Sequence, residues 1–539
     1  MNKIFTIKFI KFICELFQMA RIKIFIALLL SLIYSTAQAV DSYNPSNGQL
    51  TIPSVTVGST TFNNVVVTIG SIVSVDGVIV PTTPKNIIWH QTSNSITLEH
   101  DAIGFFEGYT SFDFDGDGQK SFFFPPGGEI TDPRQPTDHG FLIFKVNSDN
   151  SLIMGTSPLA TKYVAGLVND DILIGNFGNS TTDSLIFIDH GREEKGLTYD
   201  QWELSYLWRM DKVNGAWEVT EFAKDLGKQF WHSSSNPIDI NGDGILDFSV
   251  AALSQAINIL FLSNPNTGQY DKIDLAAYLL PGTNYGSSAL IHLATGHIGS
   301  ICLPYTPIPP PVPFLADTGH IFSLSLDGEK VESTQDVMVR NTLTTQGMTD
   351  YDGYNLIRVL DLNNDGLEDF LGFAETRDGS LPKSKKIIAF LQDKNGQFYQ
   401  ANKQLGISFE YSLPDLSPDY YTDWVQNKVL AFDVNGDSLQ DIIIPTELIK
   451  YTDILTKGIR GGYVQENGKF VDLKIPPEKI LWNKEPSPYS YRYILPTEIN
   501  SDGIVDFVLV GDTFDQPKTK DNPYGTMHHL TILKSEIQN

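Results

Sequence analysis

The chain has 539 residues, a formal net charge of −26 at pH 7, 41% hydrophobic residues and 19% charged residues. This composition excludes a chain that is disordered throughout, and the strong acidity argues against nucleic acid or an anionic membrane surface as a partner. The length indicates either several domains or one closed array of repeats.

Residues 1–39 are typical of a leader peptide. Two basic residues precede a mostly apolar run at 24–34, and small residues end the segment. The run is too short to span a bilayer comfortably. We therefore expect export through a cleaved signal peptide to the periplasm, the cell surface or the medium, with no transmembrane segment in the mature chain. Translation could begin at Met1 or at Met19.

Residues 40–85 are predicted to form a small β-rich segment. Its runs at 49–57, 60–69 and 72–80 are rich in β-branched residues and are separated by polar turns. No motif in this segment carries chemistry. The next segment, 86–100, is also strand-like.

Five later segments place oxygen-bearing side chains at positions 1, 3, 5 and 9, usually with glycine at position 6. The predicted metal ligands are Asp113, Asp115, Asp117, Ser121, Asp239, Asn241, Asp243, Asp247, Asp361, Asn363, Asp365, Asp369, Asp433, Asn435, Asp437, Asp441, Glu498, Asn500, Asp502 and Asp506. Oxygen ligands without suitably spaced His or Cys favour calcium over zinc, and a flexible cage of six or seven oxygens favours it over magnesium. The sequence therefore predicts up to five calcium sites, with a structural function.

An EF-hand is the nearest alternative, and it fails at its defining ligand. An EF-hand loop needs a glutamate at position 12 and a helix on each side. Position 12 here is Phe124, Val250, Gly372, Ile444 or Leu509, and the residues after position 9 are strand-like. The backbone carbonyl at position 7 is the expected remaining ligand. Asx-rich turns without a metal are the other alternative.

Two further segments, starting at 176 and 292, occupy the same places without the ligands, which makes seven units at intervals of 53–72 residues. Six units also contain a later hairpin, beginning near residues 142, 206, 258, 321, 387 and 462, and a seventh begins near residue 528 without its partner strand. Four strands per unit predict an all-β fold, a seven-bladed β-propeller of four-stranded blades. We expect 86–100 to supply the outer strand of the last blade, because the alternative, an open solenoid, would leave a raw edge.

These loops resemble the calcium loops of the FG-GAP and VCBS repeat families, of which the integrin alpha-subunit head is the best-known relative. The resemblance covers residues 86–539 and implies calcium bound between the first two strands of a blade. It implies binding and adhesion functions often, and enzymatic functions occasionally. The chain departs from the pattern at Ser121, Ser438, Glu498 and Ser501.

No catalytic motif is present in the sequence. Cys302 follows an apolar run and is predicted to be a buried small hydrophobe, while His528 and His529 should point to opposite faces of a strand. We therefore expect a monomeric binding or adhesion module for a protein or glycan ligand. The alternatives are a carbohydrate-active lyase or hydrolase and a scaffold in an envelope assembly.

Overall fold

The chain folds into two compact units. One comprises residues up to 83 with the short segments 364–366 and 437–439, and the other comprises the rest. The proposed leader lies outside the described residues. The structure, a computed structural model, describes residues 42–44, 49–57, 60–68, 71–75, 78–79, 81–92, 96–98, 110–114, 121–124, 142–146, 152–155, 168–178, 183–191, 204–252, 257–279, 285–304, 318–338, 353–378, 381–408, 410–412, 429–444, 459, 461–466, 468–482, 490–499, 502–513 and 527–538.

The N-terminal unit contains one antiparallel sheet in which each strand pairs with the next along the chain. Its strands are β1 (Ser42–Asn44), β2 (Gln49–Val57), β3 (Thr60–Thr68), β4 (Ser71–Val75) and β5 (Val78–Ile79). Cross-strand pairs such as Leu50 with Val67 and Ile52 with Val65 join β-branched and aliphatic residues, which suit a pleated surface.

The second unit is a seven-bladed β-propeller, as predicted. Its first four blades are β8 (Thr110–Phe112), β9 (Ser121–Phe124), β10 (Leu142–Val146) and β11 (Leu152–Gly155); β12 (Val168–Gly175), β13 (Ser184–Gly191), β14 (Leu207–Val213) and β15 (Ala216–Phe222); β16 (Phe248–Ala252), β17 (Ile257–Asn264) and β18 (Gln269–Asp274); and β19 (Tyr285–His292), β20 (Ile298–Pro304), β21 (Thr318–Leu324) and β22 (Val331–Met338). In each of these blades the strands that follow one another along the chain pair antiparallel.

The last three blades follow the same order. They are β23 (Gly353–Leu360), β24 (Asp369–Asp378), β25 (Leu381–Gln392) and β26 (Phe398–Gln400), with β27 (Glu410–Ser412) on β25; β28 (Leu430–Phe432), β29 (Asp441–Ile443), β30 (Gly462–Glu466) and β31 (Lys469–Asp472); and β33 (Ser490–Thr497), β34 (Asp506–Thr513) and β35 (Met527–Ile537) with β6 (Ile87–Gln91), β7 (Ile96–Leu98) and β32 (Ile480–Leu481). The described helices are short: α1 (Asn402–Leu405) and single 3-10 turns at Lys224–Leu226, Ala276–Tyr278 and Pro477–Lys479.

The seventh blade is completed by a strand from the other end of the unit. β6 pairs antiparallel with β35, from Ile87 opposite Ile537 to Gln91 opposite Leu533, and β7 pairs with the start of β35. β32 lies parallel to β6 on its outer side. The prediction that 86–100 supplies the outer strand of the last blade is therefore confirmed.

The innermost strands of the last and first blades also meet. Thr497 Oγ1 donates to Ser111 Oγ over 3.1 Å. The described strands thus close the ring by a side-chain contact between the innermost strands and by strand pairing at the rim.

The third blade departs from the regular pattern. Its innermost segment, 231–238, makes only isolated antiparallel bridges to β16 and its neighbouring connection, at Trp231–Ala252 and Ile238–Asp247. Ser235 instead forms a parallel bridge to Ala289 of the fourth blade. Three consecutive serines before Asn236 and a proline weaken a regular ladder at this point, because proline lacks an N–H and serine competes for backbone partners.

The core consists of apolar layers between successive blades. On β13, Leu185 and Phe187 pack toward the first blade, while Ile186 and Ile188 pack toward the third. This alternation follows from the two-residue period of a strand that is buried on both faces. Cys302 lies in the layer between the third and fourth blades and is fully buried, as predicted. No helix among the described residues is long and apolar enough to cross a membrane.

Candidate metal-binding loops

The loop at 239–247 shows the backbone geometry in full. Asp239 Oδ1 accepts the N–H groups of Gly242 and Asp243 at 2.8 and 3.1 Å, and its Oδ2 accepts that of Gly244 at 2.8 Å. Asp243 Oδ1 accepts the N–H of Ile245 at 2.8 Å. The carboxylates of positions 1 and 5 therefore organise one continuous Asx turn.

Position 3 of the same loop connects it to the third strand of the blade. Asn241 Nδ2 donates to Ser263 O at 2.7 Å, and Asn241 Oδ1 accepts the N–H of Asp243 at 3.1 Å. The Ser263 hydroxyl donates to Asp243 Oδ2 at 2.9 Å. The structure thus brings the predicted ligands at positions 1, 3 and 5 together in one turn.

The loops of the fifth and sixth blades have the same backbone form, and the described part of the seventh-blade loop repeats it. In the last blade the side chain at position 5 again accepts the N–H of position 7: Asp502 Oδ1 accepts the N–H of Ile504 at 2.8 Å. Glu498 Oε1 accepts the N–H of Gly503 at 2.6 Å, so the longer side chain keeps the bond to position 6. The shared positive φ angles at positions 4 and 6 are Gly242 73°, Asn364 54°, Gly436 73°, Gly244 82°, Gly366 87°, Ser438 75° and Gly503 77°.

Ser438 is the one non-glycine at position 6 among the described loops with predicted ligands, and its φ of 75° is disfavoured for an L-amino acid. Ser438→Gly should raise the free energy of unfolding by about 0.5–1 kcal/mol in chemical denaturation, because it removes this strain. Gly503→Ala is the reverse control and should lower it by about 1 kcal/mol, since a Cβ there meets no atom within 4 Å and adds only strain. A less stable Ser438→Gly variant would contradict the prediction.

The predicted ligand at position 9 has a structural function that the sequence did not reveal. Asp247 is fully buried; its Oδ2 accepts the N–H of Ile240 at 2.7 Å and its Oδ1 that of Ser263 at 2.6 Å. It therefore clasps the start of the loop to the third strand. The equivalent clasps are Leu362–Asp369–Gln392, Val434–Asp441–Gln465 and Ile499–Asp506–Ser535.

Burial raises the pKa of two of the aspartates that form these clasps. It raises the pKa of Asp247 to about 6, and the N–H donors of Ser263 and Ile240 offset only part of that rise. Burial likewise raises the pKa of Asp506 to about 6. A cation bound beside either carboxylate would lower its pKa and release protons on binding.

The donor set of the loop at 239–247 fits calcium. Asp239, Asn241 and Asp243 with the carbonyl of Ile245 offer only oxygen, and a carboxylate oxygen that accepts one N–H keeps a second lone pair for a cation. In the described part of the chain no three Asp, Glu, His or Cys side chains converge to hold a metal by themselves. A calcium ion here would therefore depend on the asparagine and on backbone oxygen as well.

Some predicted ligands are only partly described. Asp113 is half-buried and Ser121 is buried at the start of β9. Asp115, Asp117 and Asn500 lie outside the described residues.

In the loop of the second blade the positive charge is supplied by an arginine side chain, which agrees with the lack of predicted metal ligands in that loop. The Arg209 guanidinium donates to Phe177 O at 2.7 Å and pairs with Asp211 at 2.7 Å. Gly178 stands at position 3, where a Cβ would lie 2.7 Å from Arg209 Nη2. Ser184, at position 9, donates to Asp211 at 2.5 Å. Glycine at position 3 thus leaves room for the arginine.

Side chains from the next blade brace these loops, and sequence reasoning missed them. The Trp217 indole N–H donates to Phe114 O at 3.1 Å. The Tyr270 hydroxyl lies 3.1 Å from Phe177 O and 2.8 Å from Leu246 O. The sequence signal in these two cases is a large polar-tipped residue in the hairpin of the blade after the loop.

No protein-family model and no curated protein matches the sequence. Among solved structures the chain is similar to a protein of unknown function from Dyadobacter fermentans, at 9% identity over 82% of this chain and 99% of that one, with a TM-score of 0.36. It is also similar to a GH43 glycoside hydrolase (9%, 83% and 100%, 0.30) and to rhamnogalacturonan lyase YesW (10%, 80% and 69%, 0.29). At these identities and TM-scores the likenesses say nothing about what this chain binds or transforms.

Proposed function

We propose that the protein is an exported, calcium-stabilised β-propeller of the FG-GAP/VCBS type that binds a protein or glycan ligand. The observation that supports calcium most strongly is the repeated loop, in which oxygen side chains at positions 1, 3 and 5 share a backbone form in several blades. The formal charge of −26 also favours cation binding. Bound calcium would hold together carboxylates that otherwise repel one another and would pin the first turn of each blade.

Chelation should lower the thermal midpoint by several degrees, because each occupied loop adds about 1–2 kcal/mol at millimolar calcium when its Kd is about 10⁻⁴–10⁻³ M. The measurement is a melt in 5 mM calcium and in EGTA at fixed ionic strength. Asp239→Asn should reduce the calcium-dependent shift; its amide oxygen can keep the bonds to the N–H groups of Gly242 and Asp243, while the bond to Gly244 is lost. Glu218→Gln is the matched control: Glu218 is exposed on β15, and the substitution removes one negative charge, as Asp239→Asn does. This variant should keep the full shift. An identical thermal midpoint in calcium and in EGTA would contradict the calcium proposal.

The binding function is tested separately with the mature chain on glycan arrays and in pull-downs with surface-protein extracts, in calcium. Retention of an unchanged ligand supports a binding module. Cleavage of a retained glycan would instead establish a carbohydrate-active enzyme. Detection of the processed chain outside the cytoplasm tests export.

A further inference from the structure

Two glutamines occupy equivalent places in the fifth and sixth blades. The N–H of Gln392 donates to Asp369 Oδ1 at 2.7 Å, and the N–H of Gln465 donates to Asp441 Oδ1 at 2.8 Å. Both side chains are buried and reach back to the first loop of the preceding blade. We call each such contact a latch, because it joins a clasp in one blade to the loop of its neighbour.

The latch of Gln392 is complete. Its Nε2 donates to His292 O at 3.0 Å and to Glu368 O at 2.6 Å, and its Oε1 accepts the N–H of Ala294 at 2.5 Å. His292 and Ala294 are positions 1 and 3 of the fourth-blade loop, which lacks metal ligands. This latch therefore closes on a loop that needs no cation.

The latch of Gln465 is incomplete. Its Nε2 lies 3.1 Å from Leu362 O, at position 2 of the fifth-blade loop, and 3.4 Å from Asp361 O, at position 1. Its Oε1 is buried and has no hydrogen-bond partner among the residues that the structure describes. The donor equivalent to the N–H of Ala294 would be the N–H of Asn363, at position 3. The hairpin of the sixth blade already lies over this point, since a Cβ on Gly468 would be 3.5 Å from Asn363 O.

An unpaired buried amide oxygen costs free energy, so a state of the protein in which it gains a donor is favoured at this point. We propose that cation binding to the loop at 361–369 brings the N–H of Asn363 onto Gln465 Oε1, and that Gln465 thereby couples this loop to the loop at 433–441. Asp441 accepts the backbone N–H of Gln465, so ordering of the loop at 433–441 also fixes the position of Gln465. A fixed Gln465 raises the cation affinity of the loop at 361–369. The coupling is positive and reciprocal. This inference rests on the proposed calcium binding.

Hydrogen–deuterium exchange read by mass spectrometry tests the coupling, because peptides that cover each loop report the calcium concentration of half-protection separately. The measurement is made in about 0.15 M salt, which screens direct repulsion between distant cations. Asp433→Ala, which removes a ligand from the second loop, should raise the midpoint for 361–369 at least fivefold, a shift of about the usual size for allosteric coupling. In a Gln465→Leu background the same change should shift that midpoint less than twofold.

Three controls separate the latch from general damage. Asp239→Ala, in the non-adjacent third blade, should leave the midpoint for 361–369 unchanged. Gln392→Leu should preserve the fold-change caused by Asp433→Ala, because the bonds of this side chain run to the fourth-blade loop and to Glu368 O and not to the loop at 433–441. Gln465→Asn, whose shorter amide cannot reach Leu362, should abolish the shift as Gln465→Leu does, and serves if the leucine variant does not fold.

The outcomes are distinct. Calcium-dependent protection of both loops with no effect of Asp433→Ala on 361–369 would overturn the coupling and leave calcium binding intact. An effect that persists in both Gln465 variants would overturn the assignment of the coupling to Gln465. Absence of calcium-dependent protection in every loop would overturn the calcium proposal and the coupling together.

Discussion

Trp89→Ala should lower the free energy of unfolding by about 3–5 kcal/mol, the usual range for removing a buried tryptophan from a core. Trp89 lies on β6 and is 4% exposed. Its indole N–H donates to Val505 O at 2.9 Å, and its ring centroid lies 5.7 Å from that of Phe507. The substitution therefore leaves a cavity and an unpaired carbonyl at the strand that closes the ring.

Chemical denaturation of the full chain measures this effect, and Trp89→Phe is the matched control. Phenylalanine keeps most of the apolar contact and loses the bond to Val505, so it should cost only about 1–1.5 kcal/mol. Deleting residues 1–101 removes β6 and β7 altogether and should produce associated species in size-exclusion chromatography, because β35 becomes a raw edge. A Trp89→Ala variant within 1 kcal/mol of the wild type, or a stable monomeric deletion, would contradict the importance of this closure.

The ring and its closure could be predicted because their signals repeat. Every unit carries a first loop, six carry a complete later hairpin, and these two markers agree on seven blades. The strand-like segment at 86–100 lies outside the seven units, so it was predicted to pair with the strand that starts near His528. Repetition thus replaced the long-range information that a single sequence normally lacks.

The side-chain contacts between blades could not be predicted in the same way. Gln392 and Gln465 are 73 residues apart in sequence, and nothing in either local pattern distinguishes a latch from an ordinary hairpin residue. The irregular inner segment of the third blade depends on Ser235 pairing with the fourth blade. The glutamine contacts and the pairing of Ser235 depend on tertiary packing, which cannot be read from local sequence propensity.

The ninth-position aspartates show a further limit of motif reasoning. The spacing marked Asp247, Asp369, Asp441 and Asp506 as oxygen ligands, and the same spacing also suits a buried clasp between two backbone segments. Sequence cannot separate these functions, because both need a short carboxylate after the turn. Burial and hydrogen-bond partners reveal the clasp.

Asp506→Ala, measured in EGTA, should lower the free energy of unfolding by about 3–5 kcal/mol, since each hydrogen bond to a buried charged acceptor contributes about 1.5–3 kcal/mol and the donors stay buried. Asp506 Oδ2 accepts the N–H of Ile499 at 2.8 Å. Its Oδ1 accepts the N–H and the hydroxyl of Ser535 at 2.6 and 2.8 Å. Asp502→Asn, exposed at position 5 of the same loop, is the control and should change stability by less than about 1 kcal/mol.

Asp506→Asn separates the charge of this clasp from its shape. Burial raises the pKa of Asp506 to about 6 in the folded chain, above its ordinary value of 3.8. As the pH falls, the folded chain therefore takes up this proton before the unfolded chain does, and the penalty of the buried charge, present above pH 6, disappears toward pH 4. Asparagine carries no such charge, so the wild type should gain about 2–3 kcal/mol over Asp506→Asn between pH 7 and pH 4. Parallel denaturation of both proteins at these pH values measures the difference, in which the acid effects on all other groups cancel. A difference that stays constant, or falls with acidification, would show that the Ile499 and Ser535 donors and not burial determine the acidity of this carboxylate.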